Sequence, residues 1–545
     1  MKKNTDTGIE QQELNKPAGM KRRNFIKLLG GGIFVFFYVG DPLKLLAQRQ
    51  RLPEDFNAFL RVNEDGMVSC FTGKVELGQG VITSLAQMLA DELEVAYEKV
   101  DMVMGDTDLC PWDMGTFGSM TTRFFGPPLR AAAAEARATL LKLGSGYLNM
   151  PEDRLKISEG TVLDKTNPEK MVTYSQLTKG KKIEKLLTEA PPLEEYTRFT
   201  VSGQPKLRRD SGVKVTGEAK FAGDIRLPGM VYAKILRPPS HGAKLTGIDT
   251  SGIHEEDGIE LVQDGDLVAV LHESPEMAEI ALSKINATWE IDRMEVNDRT
   301  IFHHFLNIAP EPSVAAESGD LSTGAEISHR IIEQEYLNSY VSHAPIEPHA
   351  AVAVMEGGRI RVWASTQTPF PLKDDIAEAL DIPGDKVRVT PPFVGGGFGG
   401  KTNNRQAIEA ARLAKLTGKP VMVVWNRKEE FFYDTFRPAA VVKIKSGVTE
   451  SGKISLWDNS VYFAGSRGSE HQYDIPHHRT RIFNRSWTAP PGVHPFATGP
   501  WRAPSNNTNT HARESQIDIM ASEAGIDPLE FRLNNLKDEK MIGVL

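Results

Sequence analysis

The residues best placed to do chemistry lie in one glycine-rich run, Pro391-Pro392-Phe393-Val394-Gly395-Gly396-Gly397-Phe398-Gly399-Gly400-Lys401-Thr402. Glycines in such density let the backbone approach a ligand and aim N–H groups at oxygen atoms. An apolar stretch at 387–390 reads as a strand leading into it, and a helix follows. Gly395 to Thr402 also satisfies G-x-x-x-x-G-K-T, the phosphate-cradling P-loop. Two features argue against an NTPase. No apolar strand ending in Asp follows to hold Mg²⁺, and Phe398 puts a bulky ring where the loop would have to wrap phosphate.

Three further segments share this character. In Gly73-Lys74-Val75-Glu76-Leu77-Gly78-Gln79-Gly80-Val81, an amide side chain sits between two glycines at the start of a helix. That places a donor–acceptor and free backbone N–H groups together, which suits a polar, anionic ligand. In Gly115-Thr116-Phe117-Gly118-Ser119-Met120-Thr121-Thr122-Arg123, hydroxyls precede an alanine-rich helix and either cap it or bind oxygens of a ligand. In Gly499-Pro500-Trp501-Arg502-Ala503-Pro504, one arginine is fixed between rigid residues; a surface ion pair is its ordinary role.

Other groups are better read as structural. His303-His304 and His477-His478 are adjacent pairs that, in strands, would point to opposite faces, and no H-E-x-x-H is present. Glu514 and Asp518 share a helix face beside Arg513, and no G-x-S-x-G nucleophile elbow occurs. No residue is assigned as a metal ligand.

The elements that must position these segments are mixed. A hairpin is expected over 59–71 around Asn63-Glu64-Asp65-Gly66, and helices over 82–93 and 128–143. Residues 180–200 and 300–325 read as linkers. Between them, 210–293 forms a compact unit with strands at 221–225, 230–236 and 267–271 and a helix at 275–285. Further on, strands are expected at 350–355 and 359–364, with helices at 372–380, 404–416 and 510–524, the last closed by Gly525. Without regular βαβ alternation, the reading is a multidomain α+β chain.

Composition narrows the classes. The 545 residues suggest several domains, and 64 Lys and Arg against 72 Asp and Glu give a net charge of −8, opposite to a nucleic-acid footprint. Two cysteines, Cys70 and Cys110, exclude a Cys₄ iron–sulfur site within the chain and leave one disulfide open.

The N-terminus reads as an address. A polar lead-in over 1–20 is followed by Lys21-Arg22-Arg23-Asn24-Phe25-Ile26-Lys27 and an apolar run at 28–39, interrupted by Gly30-Gly31-Gly32. A basic patch before a short apolar run is signal-peptide anatomy, and the run is shorter than the roughly 20 residues a membrane helix needs. Arg-Arg-x-Phe-Ile-Lys resembles the twin-arginine export consensus, which predicts a periplasmic protein cut near Ala47.

Taken in order, the four segments resemble the molybdopterin-binding large subunits of the xanthine dehydrogenase/aldehyde oxidase family. The likeness is greatest to the branch typified by the isoquinoline 1-oxidoreductase beta chain. The unit between the segments adds to it. Gly217-Glu218-Ala219-Lys220-Phe221-Ala222-Gly223-Asp224-Ile225, the segment from Leu227 to Ala233, and Arg237-Pro238-Pro239-Ser240-His241-Gly242-Ala243 resemble that family's small hammerhead domain. The resemblance implies four regions: a signal and linker at 1–50, a first molybdopterin-binding segment at 51–200, an inserted hammerhead at 201–300 and a second molybdopterin-binding segment at 310–545. It implies a molybdenum–molybdopterin cofactor, with the cytosine dinucleotide form as one option. Gly78, Gln79, Gly80, Ser119, Gly397, Phe398 and Gly399 would hold it, and Arg502 would stand near the substrate.

The implied reaction is water-derived hydroxylation of an aldehyde or N-heterocycle, with electrons passed to a [2Fe-2S] small subunit and onward to an acceptor such as a cytochrome c. Two departures follow from the same comparison. The family's glutamine over the metal falls on Val341, just before Ser342-His343-Ala344-Pro345-Ile346-Glu347-Pro348. The family's C-terminal G-V-G-E segment, which carries the catalytic glutamate, has no counterpart before Met541-Ile542-Gly543-Val544-Leu545, so no catalytic base is assigned. A separate chain supplying that domain is one expectation; an inactive binding or assembly subunit is the alternative.

Overall fold

In the computed structural model, residues 31–37, 58–187, 191–253, 257–291, 296–486 and 492–545 are described. The arginine pair, the polar lead-in and the expected cut at Ala47 lie outside them. Three sheets, each with its own apolar core, carry the architecture, and the α+β class holds.

The first sheet contains β1 (Gly32–Phe37), β2 (Ala58–Val62), β3 (Val68–Thr72), β4 (Val100–Met104) and β5 (Lys182–Leu186), in the order β4-β3-β2-β1-β5. The β2–β3 hairpin turns at Gly66, whose φ of 84° is the left-handed conformation a tight turn needs. Helices α1 (Val81–Leu93) and α2 (Gly126–Leu148) pack on each other, and α2 lies over β1. The alanines at 131–134 are buried, so α2 sits close to its neighbours.

In this layer the expectation of a linker at 180–200 fails. Gly32–Phe37, part of the apolar run at 28–39, forms a fully buried inner strand. The charged stretch read as a linker supplies β5, which pairs in parallel with β1. Lys182–Leu186 is almost wholly exposed at its side chains, so no hydrophobic alternation marks it as a strand.

The second sheet has seven strands in the order 260–264, 267–272, 231–235, 421–424, 350–356, 359–364, 387–389. Three of these come from the unit expected at 201–300, so that unit shares a sheet with the following segment. Phe221–Ile225, expected as a strand, holds a single 3₁₀ turn at Ala222–Asp224. Helices Arg405–Thr417 and Pro369–Ala379 cover the sheet through Leu372, Ile376, Ala407, Ala411 and Ala414. The third sheet (313–318, 478–482, 454–462, 440–448, 330–338) is packed by helix Asn506–Ala524, which ends at Gly525 with φ 66°. The stretch 300–325, expected as a linker, contains helix Ile301–Ile308, strand Ser313–Ser318 and helix Leu321–Glu326. No helix among the described residues is long and apolar enough to cross a membrane.

Candidate functional site

The glycine loop leaves strand Val387–Val389 and reaches Gly395, whose N–H donates to Glu347 Oε2 at 2.7 Å. Its glycines are required by what surrounds them. A Cβ on Gly399 would lie 1.8 Å from the Pro500 carbonyl oxygen, and its φ is +117°. A Cβ on Gly397 would lie 2.3 Å from Gln367 Oε1, and one on Gly400 would lie 2.5 Å from Asp434 Oδ2. Phe398 adopts φ 56° and stays 50% exposed, so its ring is held out of the core by a strained backbone. The N–H groups of Gly396, Gly397 and Phe398 have no hydrogen-bond partner among the described residues.

A continuous set of hydrogen bonds joins this loop to the other three segments. Lys74 Nζ donates to Asp113 Oδ1 and to the Gly115 carbonyl, both at 2.9 Å, and Val75 N donates to Thr116 Oγ1 at 2.8 Å. These bonds tie the Gly78-Gln79-Gly80 segment to the Gly115–Ser119 loop. Thr116 N then donates to the Gln367 carbonyl at 2.9 Å, and Gln367 Nε2 donates to the Thr116 carbonyl at 2.8 Å. Gln367 Oε1 accepts from Gly399 N at 3.1 Å. Arg502 N donates to the Phe398 carbonyl at 2.9 Å, which brings the fourth segment against the loop.

His343 closes the joint. Its Nδ1 lies 2.7 Å from Asp434 Oδ2 and its Nε2 lies 2.9 Å from the Pro500 carbonyl oxygen. Burial alone would lower the imidazole's pKa, but the Asp434 carboxylate and the Pro500 carbonyl outweigh it and raise the value.

The assigned residues behave differently from one another. Gln79 is exposed, and its amide folds back onto its own loop, with Nε2 donating to the Val75 carbonyl at 3.0 Å and Oε1 accepting from Leu77 N. The helix N-terminus beside it is not the open anion site expected. Glu76, a buried carboxylate of this chain, accepts from Gly78 N, Gly80 N and Ile82 N at 2.8, 2.9 and 3.0 Å, and the Gly80 carbonyl accepts from Thr83 N and Ser84 N at 3.0 and 3.1 Å. Arg208 bonds Gly78 O and Asp210 alongside. Ser119 is exposed with φ 56° and makes no cap bond to the helix that follows. Arg502 is exposed and its side chain forms no ion pair among the described residues. Val341 sits in a two-residue bridge with Arg437.

Lys401 argues decisively about the P-loop likeness. Its ammonium is fully buried and bonds Glu347 Oε2 at 2.7 Å, so it points into the protein. Burial lowers its pKa against the opposing pull of Glu347. Thr402 Oγ1 donates to the Gly399 carbonyl at 2.8 Å. Neither side chain is presented to a phosphate.

The side groups set aside stay structural. Glu514 and Asp518 both bind Arg532. His303-His304 lie in helix Ile301–Ile308 instead of a strand. Cys70 and Cys110 are buried and unbridged, and burial pushes both thiols up in pKa.

Gln367, His343, Glu347 and Asp434 were not assigned from sequence, yet they hold the loops together. Gln367 follows strand Arg359–Ala364 in Ser365-Thr366-Gln367-Thr368, a polar group entirely buried after an apolar strand, which was its available signal. His343 and Glu347 lie in the proline-bearing segment already singled out. Asp434 had no local signal.

The molybdopterin cofactor-binding domain is matched twice, at residues 7–218 and at 303–536. A nicotinate dehydrogenase subunit of Pseudomonas putida is 29% identical over 522 residues, covering 89% of this chain and 43% of that protein. The beta chain of isoquinoline 1-oxidoreductase from Brevundimonas diminuta is 26% identical, covering 73% of this chain and 58% of that protein. The nicotinate dehydrogenase large molybdopterin subunit of Eubacterium barkeri is 27% identical, covering 62% of this chain and 89% of that protein. The crystal structure of quinoline 2-oxidoreductase from Pseudomonas putida 86 shares the fold over 62% of this chain and 50% of its own, with a TM-score of 0.53 and 20% identity. The chain thus spans about half the length of the first two relatives. With molybdopterin cofactor-binding domains matched at 7–218 and 303–536, the chain belongs to the molybdopterin-binding large-subunit family of the xanthine dehydrogenase/aldehyde oxidase group.

Proposed function

We propose that this chain holds a molybdenum–molybdopterin cofactor at the junction of its four loops and serves as the cofactor-binding part of a molybdenum hydroxylase. The observation that carries the reading is Gln367, whose one amide ties the Gly115–Ser119 loop to Gly399 while Phe398 O ties Gly399's neighbour to Arg502. The donor set fits such a group. Three consecutive N–H groups at Gly396–Phe398 are unpaired among the described residues, the glycines admit no side chain, and Ser119 and Arg502 are exposed at the two adjoining loops. When bound, the cofactor supplies the two-electron redox and hydroxyl-transfer chemistry.

This chain's residues would do the holding. Gly397 and Phe398 offer backbone N–H groups, Gln79 keeps a second amide N–H beyond the one it gives the Val75 carbonyl, and Gly78 and Gly80 leave room for close approach. Arg502 would hold a polar or anionic group of the substrate, an aldehyde or an N-heterocycle. Electrons would leave through a [2Fe-2S] subunit, and from there to an acceptor such as a cytochrome c, since both cysteines here are buried in apolar cores. Lys21-Arg22-Arg23 supports export to the periplasm by the twin-arginine route.

The test is the molybdenum and pterin content of the native complex, produced with the cofactor-maturation proteins present. About one of each per chain is expected. CMP released on acid hydrolysis would mark the cytosine dinucleotide form. Absence of both metal and pterin would overturn the reading.

A further inference from the structure

A half-buried arginine stands at the edge of the loop junction without a counter-ion. Val341–Ser342 and Phe436–Arg437 form a two-stranded antiparallel ladder in which Val341 lies opposite Arg437. Residues directly opposite in such a ladder project to the same face. Three bonds hold this ladder to the junction. Gly499 N donates to the Phe436 carbonyl at 2.9 Å, Trp501 Nε1 donates to the Ser342 carbonyl at 3.2 Å, and Arg502 N donates to the Phe398 carbonyl at 2.9 Å. The Arg437 guanidinium lies over the Trp501 ring, 5.3 Å from its centroid.

The partners of this guanidinium are neutral. Nη2 donates to Asn338 Oδ1 and, at 2.7 Å, to the Ser339 carbonyl. Nε is buried with no acceptor, and Nη1 makes no hydrogen bond among the described residues. Burial lowers the arginine's pKa, and no acidic neighbour offsets that. The arginines that brace the fold behave otherwise. Arg237 binds Glu409 and Glu429 at 2.5 and 2.8 Å, and Arg388 binds Asp106 at 2.6 Å. Taking a cation out of water without an anion to meet it is costly, and such violations concentrate where a ligand supplies the missing charge.

The surroundings define that ligand. A guanidinium matches a carboxylate or a phosphate. Here the Trp501 ring and the Val341 side chain put apolar surface beside the charge, which suits a carboxylate carried on a flat ring. We propose that Arg437 and Trp501 form a carboxylate-binding subsite beside the cofactor junction, and that the substrate class is an aromatic or heteroaromatic acid. The carboxylate accepts from Arg437 Nη1, and the ring lies against Trp501 and Val341. Arg437 orients the substrate and takes no part in proton or electron transfer. This rests on the molybdenum hydroxylase reading above and narrows its substrate.

The experiment titrates benzoate, benzamide and inorganic phosphate into the native complex by calorimetry at low ionic strength. Benzoate should bind saturably at one per chain, on the order of tenfold or more tighter than benzamide, which has the same ring without the charge. Arg437→Met should weaken benzoate on the order of tenfold or more, and Arg437→Lys, which keeps the charge without the planar fork, should fall between. Trp501→Leu should weaken benzoate and keep its preference over benzamide. Circular dichroism checks that each variant is folded, and the lysine variant carries the comparison if the methionine one is not. Equal binding of benzoate and benzamide, or equal benzoate affinity in the parent and the folded Arg437 variants, would overturn the proposal. Phosphate binding that needs Arg437 while benzoate does not bind would also overturn it, by assigning the arginine to a phosphate of the cofactor. Molybdenum is determined on the same sample. A complex that holds the metal and binds no benzoate removes this subsite alone, whereas absence of metal and pterin removes the reading it rests on.

Discussion

His343 Nδ1 and Asp434 Oδ2 lie 2.7 Å apart with both side chains fully buried, and the other ring nitrogen of His343 meets the Pro500 carbonyl at 2.9 Å. A carboxylate and a carbonyl both accept, so both ring nitrogens must donate, and the ring that satisfies them is the imidazolium. This cation holds the Pro500–Arg502 loop to the floor of the glycine loop, where Asp434 also lies against Gly400.

Stability should therefore depend on pH in a stated direction. Below the ordinary histidine value of about 6.5, folded and unfolded chains both carry the proton and the pair's contribution is complete. As pH rises above that value and through the raised folded pKa, the folded ring loses its proton and the contribution is lost. Thermal midpoints measured from mildly acidic to alkaline pH should fall over this window, and His343→Leu should flatten the fall. The same substitution should cost about 3–5 kcal/mol near neutral pH, because Asp434 is left buried without its partner. An unchanged pH profile in the variant would remove His343 as the source.

Gln367→Leu should separate the loops. It leaves the Thr116 carbonyl and Gly399 N unsatisfied, at about 1–3 kcal/mol for the buried groups, and it should lower bound molybdenum. Gln367→Glu keeps an acceptor for Gly399 N but presents no amide donor to Thr116, so it should fall between the two. Denaturant midpoints and metal content read these separately.

Two glycine substitutions should have opposite signs. Gly399→Ala meets the Pro500 carbonyl at a positive φ and should destabilise by about 2–5 kcal/mol through overpacking and backbone strain together. Gly146→Ala, on the exposed side of α2 with no atom within 4 Å of the new methyl, should stabilise by about 0.5–1 kcal/mol. Urea unfolding of the two variants beside the parent checks both signs.

Lys401→Met should cost about 3–5 kcal/mol by leaving Glu347 without its cation. It should leave nucleotide binding unaffected, because parent and variant should both show no heat of binding with ATP in calorimetry. Saturable ATP binding in the parent that the variant loses would restore the P-loop reading.

Elements whose pattern repeats within a few residues were legible directly. The 59–71 hairpin appears as Ala58–Val62 and Val68–Thr72, and the helix expected at 82–93 as Val81–Leu93. Strand Arg359–Ala364 matches the expected 359–364, and the helix closing at Gly525 starts four residues early, at Asn506. Lys182–Leu186 was illegible because its side chains face solvent and only its backbone is paired. Gly32–Phe37 was not read as a strand for the converse reason: a strand buried on both faces has no alternation, and an unbroken apolar run looks the same in a leader.

The site divides along the same line. The types and spacing of the glycines, of Gln79, Ser119 and Arg502, were determined by the sequence alone, because backbone freedom and donor chemistry are properties of the residue itself. The sequence likewise determined that no Cys₄ iron–sulfur site could be built from its two cysteines. Only the tertiary structure decided which partners those groups have. It put Glu76 on the helix N-terminus, buried Lys401 against Glu347, and set Gln367 and His343 between loops far apart in the chain. It also decided that a leader-like run is an inner strand. Such pairings depend on contacts between distant segments, and no periodicity within one segment encodes its partner.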